Sequence, residues 1–157
     1  MKKIKLDKNK YALVDDEDYD LLAKDKWYAH KKVHGEGFYA RGLRHGTKKL
    51  VFMHRIILNT PSQMFTDHID GNGLNNQKSN LRICTNSQNQ YNKGKYKNNK
   101  SGYKGVSWSK SNKKWQATMT YNHKVIKLGL FKSKIAAYKK YCESCKECHG
   151  EFLNKNL

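Results

Sequence analysis

The sequence has no long apolar run, and this absence limits the classes of protein that it can encode. No stretch approaches the roughly 18 apolar residues of a membrane-spanning helix, so we predict no membrane partner. The N-terminal segment MKKIKLDKNKYAL has lysines but no apolar stretch behind them, which excludes an ordinary secretory signal. We therefore expect a soluble, cytoplasmic protein.

Cysteine is scarce, with four residues in 157. Cys142, Cys145 and Cys148 are spaced three apart on one side of an expected helix, unlike a disulfide framework. The fragment CKECH matches a c-type haem attachment signature, but that modification requires export. A zinc site from these cysteines and His149 is a second alternative, although ligands along one continuous helix do not easily surround a tetrahedral ion. We favour cysteines that pack between a helix and a sheet.

Acidic residues are few: 13 oppose 32 basic residues, for a net charge of +19. The excess is uneven, because residues 93–157 hold 16 basic and 3 acidic residues whereas residues 61–92 hold two of each. Such a surface favours a polyanion, since each neutralised phosphate releases counterions. The alternative is a lysine-rich surface that is merely solvated. We expect a nucleic acid as the partner.

Composition and patterning divide the chain into three segments of an α+β protein. We predict a first, β-rich domain over 1–92, a basic linker over 93–101 and a second domain over 102–157. The first 60 residues contain strand-like runs separated by turns: YALV, KWYAHKKV, GFYARGL and KLVFMHRIIL. The segment DDEDYDLLAKD predicts a short helix with Asp15 as its N-cap.

The charge-balanced middle segment has the pattern of a hairpin followed by a helix. MFTDHI suits a strand, DGNG a tight turn with two positive-φ positions, and LRICT a second strand. Thr85 and Gln88 have the spacing of a capping box, which predicts a helix that begins at about Asn86.

Phosphodiester cleavage needs a base to activate water and a cation to stabilise the developing negative charge. His68 is the one side chain of this segment with an ordinary pKa near neutrality. Strand alternation sends Asp67 to the opposite face from His68, and Asn89 falls in the first turn of the expected helix. One carboxylate and one amide oxygen form a sparse set of hard ligands, which suits a single Mg²⁺.

The segments DHIDGNGLNNQKSNLR and NSQNQ resemble the HNH nucleases, specifically phage- and intron-type homing endonucleases with the ββα-metal motif. The stretch from about 53 to 92 fits that group, and VDDEDYDLLAKDKWYA is similar to its N-terminal segment. The resemblance implies a bacterial host and a phage or mobile element as the source of the gene.

The resemblance also assigns roles to individual residues. It implies that His68 is the general base, that Asp67 and Asn89 hold one divalent ion (Mg²⁺, with Mn²⁺ as the second choice), and that Asn80 pins the loop supporting His68. Asn89 stands where many members have histidine, a variation known in a subset of the family. His54 also matches the family, and we favour a structural or phosphate-facing role for it over direct catalysis.

The C-terminal segment has the period of a three-stranded antiparallel meander followed by a helix. The helix is expected from the cap Ser133 to about His149, with Gly150 as its stop. A stripe at helical spacing is expected to pack on the apolar face of the sheet: Ile135, Tyr138, Cys142, Cys145 and Cys148. The alternation makes Trp115 a core residue and leaves Trp108 undecided.

This segment resembles the plant ethylene-response-factor (APETALA-two) type of DNA-binding domain, in which the polar sheet face enters the major groove. The matching pieces are SGYKGVSW, KWQATM, KLGLF, AAY and HGEFLN. The implied DNA-binding residues are Lys104, Ser107, Gln116, Thr118, Thr120 and Lys127. Arginine is missing from this face, so base-specific discrimination is expected to be weak.

The combined prediction is a Mg²⁺-dependent homing-type endonuclease that acts on double-stranded DNA, as a monomer and without a small-molecule cofactor. The rival is a non-catalytic DNA-binding protein or repressor with a disabled HNH core. A third possibility, an RNA-binding protein, fits the charge but not the sheet-type module.

Overall fold

The computed structural model describes residues 1–33, 36–47, 49–96 and 98–154. Contacts between Cα atoms divide the chain into two compact units, Met1–Asn86 and Ser87–Leu157. Both units combine helices with antiparallel sheets, so the fold is α+β. No helix in the described residues has the length and hydrophobicity to cross a membrane.

The predicted domain limits (1–92, 93–101 and 102–157) stay a prediction. Lys97 of the predicted linker and residues 155–157 of the predicted C-terminal domain lie outside the described residues.

In the described residues, the first unit contains three small antiparallel sheets and two short α-helices. Its strands are β1 (Lys2–Lys5), β2 (Tyr11–Val14), β3 (Lys26–Lys31), β4 (Phe38–Leu43), β5 (Leu50–Phe52), β6 (Phe65–His68) and β7 (Leu81–Cys84). Its helices are α1 (Asp16–Leu22) and α2 (Met53–Ile57). β1 pairs with β2, β3–β4–β5 form a meander, and β6 pairs with β7. Alternate residues of these strands fill one core, which includes Val14, Leu22, Trp27, Ala40 and Met53.

Helix α1 begins where the sequence predicts, with Asp15 in extended backbone at the N-cap position. The Asp15 carboxylate makes no capping hydrogen bond. It accepts instead from Gln77 Nε2 at 3.2 Å and from the Lys78 backbone N–H at 2.7 Å. The Asp15 side chain therefore connects α1 to the segment that precedes β7.

The run KLVFMHRIIL was expected to be one strand, and this prediction was wrong. β5 ends at Phe52, and α2 begins at Met53. Met53 and His54 are adjacent and both buried. A strand sends neighbouring side chains to opposite faces, whereas one turn of helix can turn both toward the same core.

The DGNG turn has one positive-φ residue rather than the predicted two. Gly71 has φ of +75°, and Gly73 has no such angle. Gly73 is required for a different reason, because a Cβ there would lie 2.4 Å from the Phe38 carbonyl oxygen and 2.4 Å from the Tyr39 ring. The turn therefore packs directly against β4.

The second unit contains a three-stranded sheet and a long helix, as the sequence predicts. Its elements are β8 (Val106–Ser109), β9 (Lys114–Tyr121), β10 (Lys124–Phe131) and α4 (Lys134–His149). α3 (Asn86–Asn92) belongs to this unit apart from its first residue. The strands are antiparallel in the order β10–β9–β8. Ser133 Oγ accepts from the Ala136 N–H at 3.0 Å, which confirms the predicted N-cap, and α4 ends at Gly150 with φ of +53°.

Helix α4 packs on the sheet through a face that differs in part from the predicted stripe. Ile135 is 55% exposed, so its predicted burial was wrong. Ala137 and Tyr141 are buried instead, and they set the register of the apolar face. Cys145 is fully buried in a cluster with Met119 and Tyr141, and Cys142 and Cys148 pack against that cluster. The prediction that the cysteines fill the helix–sheet interface is confirmed.

Candidate active site

Asp67 and His68 are the last two residues of β6, and both are buried. In the antiparallel register Asp67 lies opposite Arg82, and His68 lies opposite Leu81. Alternation along the strand turns the two side chains to opposite faces of the hairpin. Each side chain consequently has its own set of partners.

The His68 ring is enclosed by polar and aromatic side chains. Its Nε2 lies 3.3 Å from Asn76 Oδ1. Its centroid is 4.9 Å from that of His54 in an edge-to-face arrangement and 5.7 Å from that of Tyr39. Because an amide oxygen only accepts, Nε2 carries the proton and Nδ1 has the basic lone pair. Burial lowers the pKa of His68 to about 4, so the imidazole is neutral at pH 7.

Asn76 connects His68 to the N-terminal strands. It is fully buried, and its backbone N–H donates to the Leu13 carbonyl oxygen at 2.8 Å. The Leu13 N–H in turn donates to the Leu74 carbonyl oxygen at 2.8 Å. Strand β2 therefore fixes the backbone at Asn76 and at Leu74, two residues before it.

Asp67 forms a buried ion pair with Arg82. Its Oδ2 accepts from Arg82 Nε at 2.9 Å and from a terminal guanidinium nitrogen at 2.7 Å. Both donors meet the same oxygen, so Arg82 holds Oδ2 of the carboxylate in place. Cross-strand pairs of opposite charge are a known signal in hairpins, but Arg82 is opposite Asp67 only in one register. Sequence reasoning without that register did not identify Arg82.

Asn80 ties together the turn that follows His68. Its Nδ2 donates to Asp70 Oδ1 at 2.9 Å and to the Asn75 carbonyl oxygen at 2.8 Å, and its Oδ1 accepts from the Asp70 N–H at 3.0 Å. Its backbone carbonyl accepts from the Ile69 N–H at 2.9 Å. These contacts are those of a residue that pins a loop, and its part in catalysis stays a prediction.

Lys32 is a further residue beside His68 that the sequence did not indicate. Its Nζ donates to the Gly71 carbonyl oxygen at 2.6 Å and lies 4.9 Å from the centroid of the Tyr39 ring. Burial lowers the pKa of Lys32, and the carboxylates of Asp70 and Asp67 oppose that shift. In a chain with 32 basic residues no local signal distinguishes this lysine.

His54, whose role the sequence left between structure and catalysis, packs against the His68 ring. It is 8% exposed and stacks on Phe52 with ring centroids 5.3 Å apart. Burial, followed by the charges of His68 and Arg55, lowers the pKa of His54 to about 3. The His54 imidazole is therefore neutral at pH 7, and it packs against the His68 ring.

The donor types predicted for a divalent ion are oxygen atoms, which hard cations prefer. Asp67 supplies a carboxylate, oriented by Arg82, on β6 of the first unit. Asn89 supplies an amide on α3 of the second unit. In the described part of the chain no three His, Cys, Asp or Glu side chains are grouped to hold a metal. The donor chemistry fits a hard ion with few protein ligands, and the pairing of Asp67 with Asn89 stays a prediction.

The residues predicted to bind DNA lie on the sheet of the second unit, with one exception. Ser107 pairs with Gln116, and Thr118 pairs with Lys127. Their side chains and that of Thr120 are on the face opposite Ala117 and Met119, which pack toward α4.

Lys104 is the exception, and its predicted placement on this face was wrong. Its Nζ donates to the carbonyl oxygens of Gln90, Tyr91 and Lys93, the Tyr91 contact being 2.9 Å long. Burial lowers its pKa to about 8. The Lys104 ammonium group thus donates hydrogen bonds at the C-terminal end of α3, where backbone carbonyl groups lack partners within the helix.

The two tryptophans of the sheet differ in burial. Trp115 packs against the core, as predicted, and its ring centroid is 5.1 Å from that of Trp108. Trp108 is 49% exposed.

Comparison with known proteins identifies the class. A family model described as HNH endonuclease matches residues 59–91, which include β6, β7 and most of α3. The chain is 30% identical over 152 residues to Uncharacterized HNH endonuclease L560 of Acanthamoeba polyphaga mimivirus, covering 95% of this chain and 76% of that protein. This chain therefore belongs to the HNH endonuclease family.

A shorter match reaches a phage protein. The chain is 45% identical over 60 residues to Protein 3.8 of Escherichia phage T7, and the match covers 38% of this chain and half of that protein. No solved structure matches the chain.

Proposed function

We propose that the protein is a metal-dependent, homing-type endonuclease that cuts double-stranded DNA, with His68 as the general base. The observation that supports it best is the state of His68: a buried, neutral imidazole whose Nε2 proton is directed to Asn76 Oδ1. A base in this state has its lone pair on Nδ1 and needs no deprotonation before it acts.

In the proposed step, Nδ1 of His68 takes a proton from water as the water oxygen bonds to phosphorus. The bond from phosphorus to the departing deoxyribose oxygen breaks, and the shared electron pair leaves with that oxygen. Asn76 holds the imidazole, and Asn80 holds the adjoining turn. A divalent ion, Mg²⁺ or Mn²⁺, would be held by Asp67 and Asn89 and would supply positive charge at the phosphate and the leaving oxygen.

The hairpin β6–β7 followed by α3 has the order of elements of the ββα-metal motif, and we propose that it forms one. Arg82 supports this assignment, because its two hydrogen bonds hold Oδ2 of the Asp67 carboxylate in place at the end of the first strand.

We further propose that β8–β10 and α4 form an APETALA-two type module whose polar face enters the major groove. Charge supports this, because residues 93–157 carry 16 basic and 3 acidic residues. The module would bind duplex DNA and raise the local concentration of the nuclease at its site. We propose that the protein acts as a monomer and nicks one strand at a time.

Nicking of supercoiled plasmid tests the function. The parent protein is expected to nick with Mg²⁺ or Mn²⁺, and the variants H68A, D67A and N89A are expected to lose nicking. His45→Ala, a change at an exposed histidine of the same unit, is the matched control and should keep the activity. If the parent binds duplex DNA but nicks with neither ion, the non-catalytic DNA-binding alternative is correct.

A further inference from the structure

The sheet of the second unit presents four rows of side chains on the face away from α4, which we call the outer face. The rows are Ser109–Lys114, Ser107–Gln116–Leu130, Thr118–Lys127 and Thr120–Val125. Side chains directly opposite on antiparallel strands lie about 5 Å apart. Each row is therefore one contiguous set of contacts.

Two apolar side chains stand exposed among the polar ones on the outer face. Val125 is 69% exposed and lies opposite Thr120, and Leu130 is 41% exposed and lies opposite Gln116. The apolar core of the unit is on the other face, with Ala117 and Met119. Val125 and Leu130 thus present methyl groups outward, beside an amide and hydroxyl groups.

The strand segment of this unit is basic. Residues 103–133, which hold all three strands, contain seven lysines and no carboxylate. Lys114 and Lys127 are on the outer face, whereas Lys104 bonds to carbonyl groups of α3. The acidic residues of 93–157 are Glu143 and Glu147 on α4 and Glu151 after it, behind the sheet. Residues 93–157 contain no arginine. The face therefore attracts phosphate but lacks the guanidinium fork that pairs best with guanine.

We infer that the outer face selects A·T-rich duplex DNA, with Gln116 bonding to adenine and Val125 and Leu130 contacting thymine methyl groups. The inference rests on the proposed function, in which this face enters the major groove. There adenine offers N7 and the N6 amino group to a Gln amide, and thymine offers its 5-methyl group to an apolar side chain. Gln116 and Leu130 are neighbours in one row, so both side chains can contact the same short A·T sequence.

The first experiment is selection from a random duplex library by the full chain in EDTA, which prevents cleavage. The selected sites are expected to be enriched in A·T pairs. A selected duplex is then resynthesised with deoxyuridine for thymidine, which removes the 5-methyl group and keeps the base pairing. Each contacted thymine is expected to lose about fourfold in affinity, the factor for one buried apolar carbon. G·C-rich selected sites, or equal affinity for the uracil and thymine duplexes, would overturn the inference.

Variants locate the effect on the face. V125A and L130A should each reduce the difference between thymine and uracil duplexes, and Q116A should weaken binding to the selected site about tenfold. Ile135→Ala, a truncation of an exposed aliphatic side chain on α4, is the matched control and should change neither quantity.

The failure of the inference is distinguishable from that of the proposed function. Tight binding to duplexes of every composition, lowered by lysine substitutions on the face, leaves the module a DNA binder and overturns the A·T assignment alone. No binding to any duplex at low salt overturns both. Thermal melts of each variant verify folding.

Discussion

The two units use polar side chains in opposite environments. In the first unit Asp67, His68, Asn76 and Asn80 are buried, and the side chain of each forms hydrogen bonds within the unit. In the second unit the polar side chains of the outer face are exposed or half-buried. A buried set is held in one geometry and is costly to disturb, whereas an exposed set adapts to its partner. This difference agrees with the proposed function, in which the first unit supplies the general base and the second unit binds DNA.

The largest expected effect tests that separation directly. H68A is expected to lower the single-turnover nicking rate by about 10²–10⁴-fold, the contribution typical of a general base. Its dissociation constant for duplex DNA, measured in EDTA, should stay within about twofold, because the outer face is unchanged. A large loss of affinity in H68A would show that recognition is not confined to the second unit.

The buried ion pair gives the next largest effect, on stability. R82A leaves the Asp67 carboxylate buried without its guanidinium, and breaking such a pair costs about 3–5 kcal/mol. Hydrogen exchange read by mass spectrometry should show faster exchange in the β6–β7 hairpin and little change in β8–β10. The matched control R44A removes an exposed guanidinium of the same unit and should leave exchange in the hairpin unchanged.

The stability of the first unit is expected to depend on pH. Burial lowers the pKa of His54 to about 3 and that of His68 to about 4, from the ordinary value of 6.5. Below about pH 6.5 the unfolded chain binds protons that the folded chain excludes. The free energy of unfolding of the first unit should therefore be full above pH 6.5 and fall as pH decreases toward 4, by up to about 1.4 kcal/mol per pH unit for each histidine.

Urea titrations between pH 7 and pH 4.5, followed by hydrogen exchange of first-unit peptides, measure this slope. His54→Leu should flatten it, and H45L provides the control at an exposed histidine. An unchanged slope in the His54 variant would mean that this imidazole does not resist protonation.

The smallest effect is expected from a single lysine of the outer face. K127A should weaken DNA binding uniformly across sequences and lower the salt dependence of log Kd by about one, with the nicking rate at saturating DNA unchanged. K139A, at an exposed lysine of α4, should alter the salt dependence less. Equal effects of the two changes would argue against a localised interface.

Local patterns predicted the second unit better than the first. Period-two alternation and the Ser133 cap predicted β8–β10 and α4, because both signals depend on neighbouring residues. Ile135 was misplaced because helical spacing alone does not say which of two overlapping stripes meets the sheet. Lys104 was misplaced because its partners are carbonyl groups of α3, which no sequence pattern specifies.

In the first unit the motif predicted the residues of the candidate site, and their role stays a prediction, but their partners depend on tertiary contacts. Arg82 meets Asp67 through strand register, and Lys32 reaches Gly71 across 39 positions. Asn76 is one of several asparagines in its segment, and only packing shows which of them faces His68. The helix at Met53 replaced an expected strand, because apolar residues in a short run fit either element and the local pattern does not decide between them.

The hydrogen bonds that join Leu13 to Leu74 and Asn76 set a lower limit on the length of a fragment that keeps this arrangement. A fragment trimmed to residues 59–91, which match the family model, would keep His68 and Asn76 but lose β2, to which the Asn76 backbone is bonded. A graft of this segment onto another protein would therefore have to include β2 or offer the same two backbone groups.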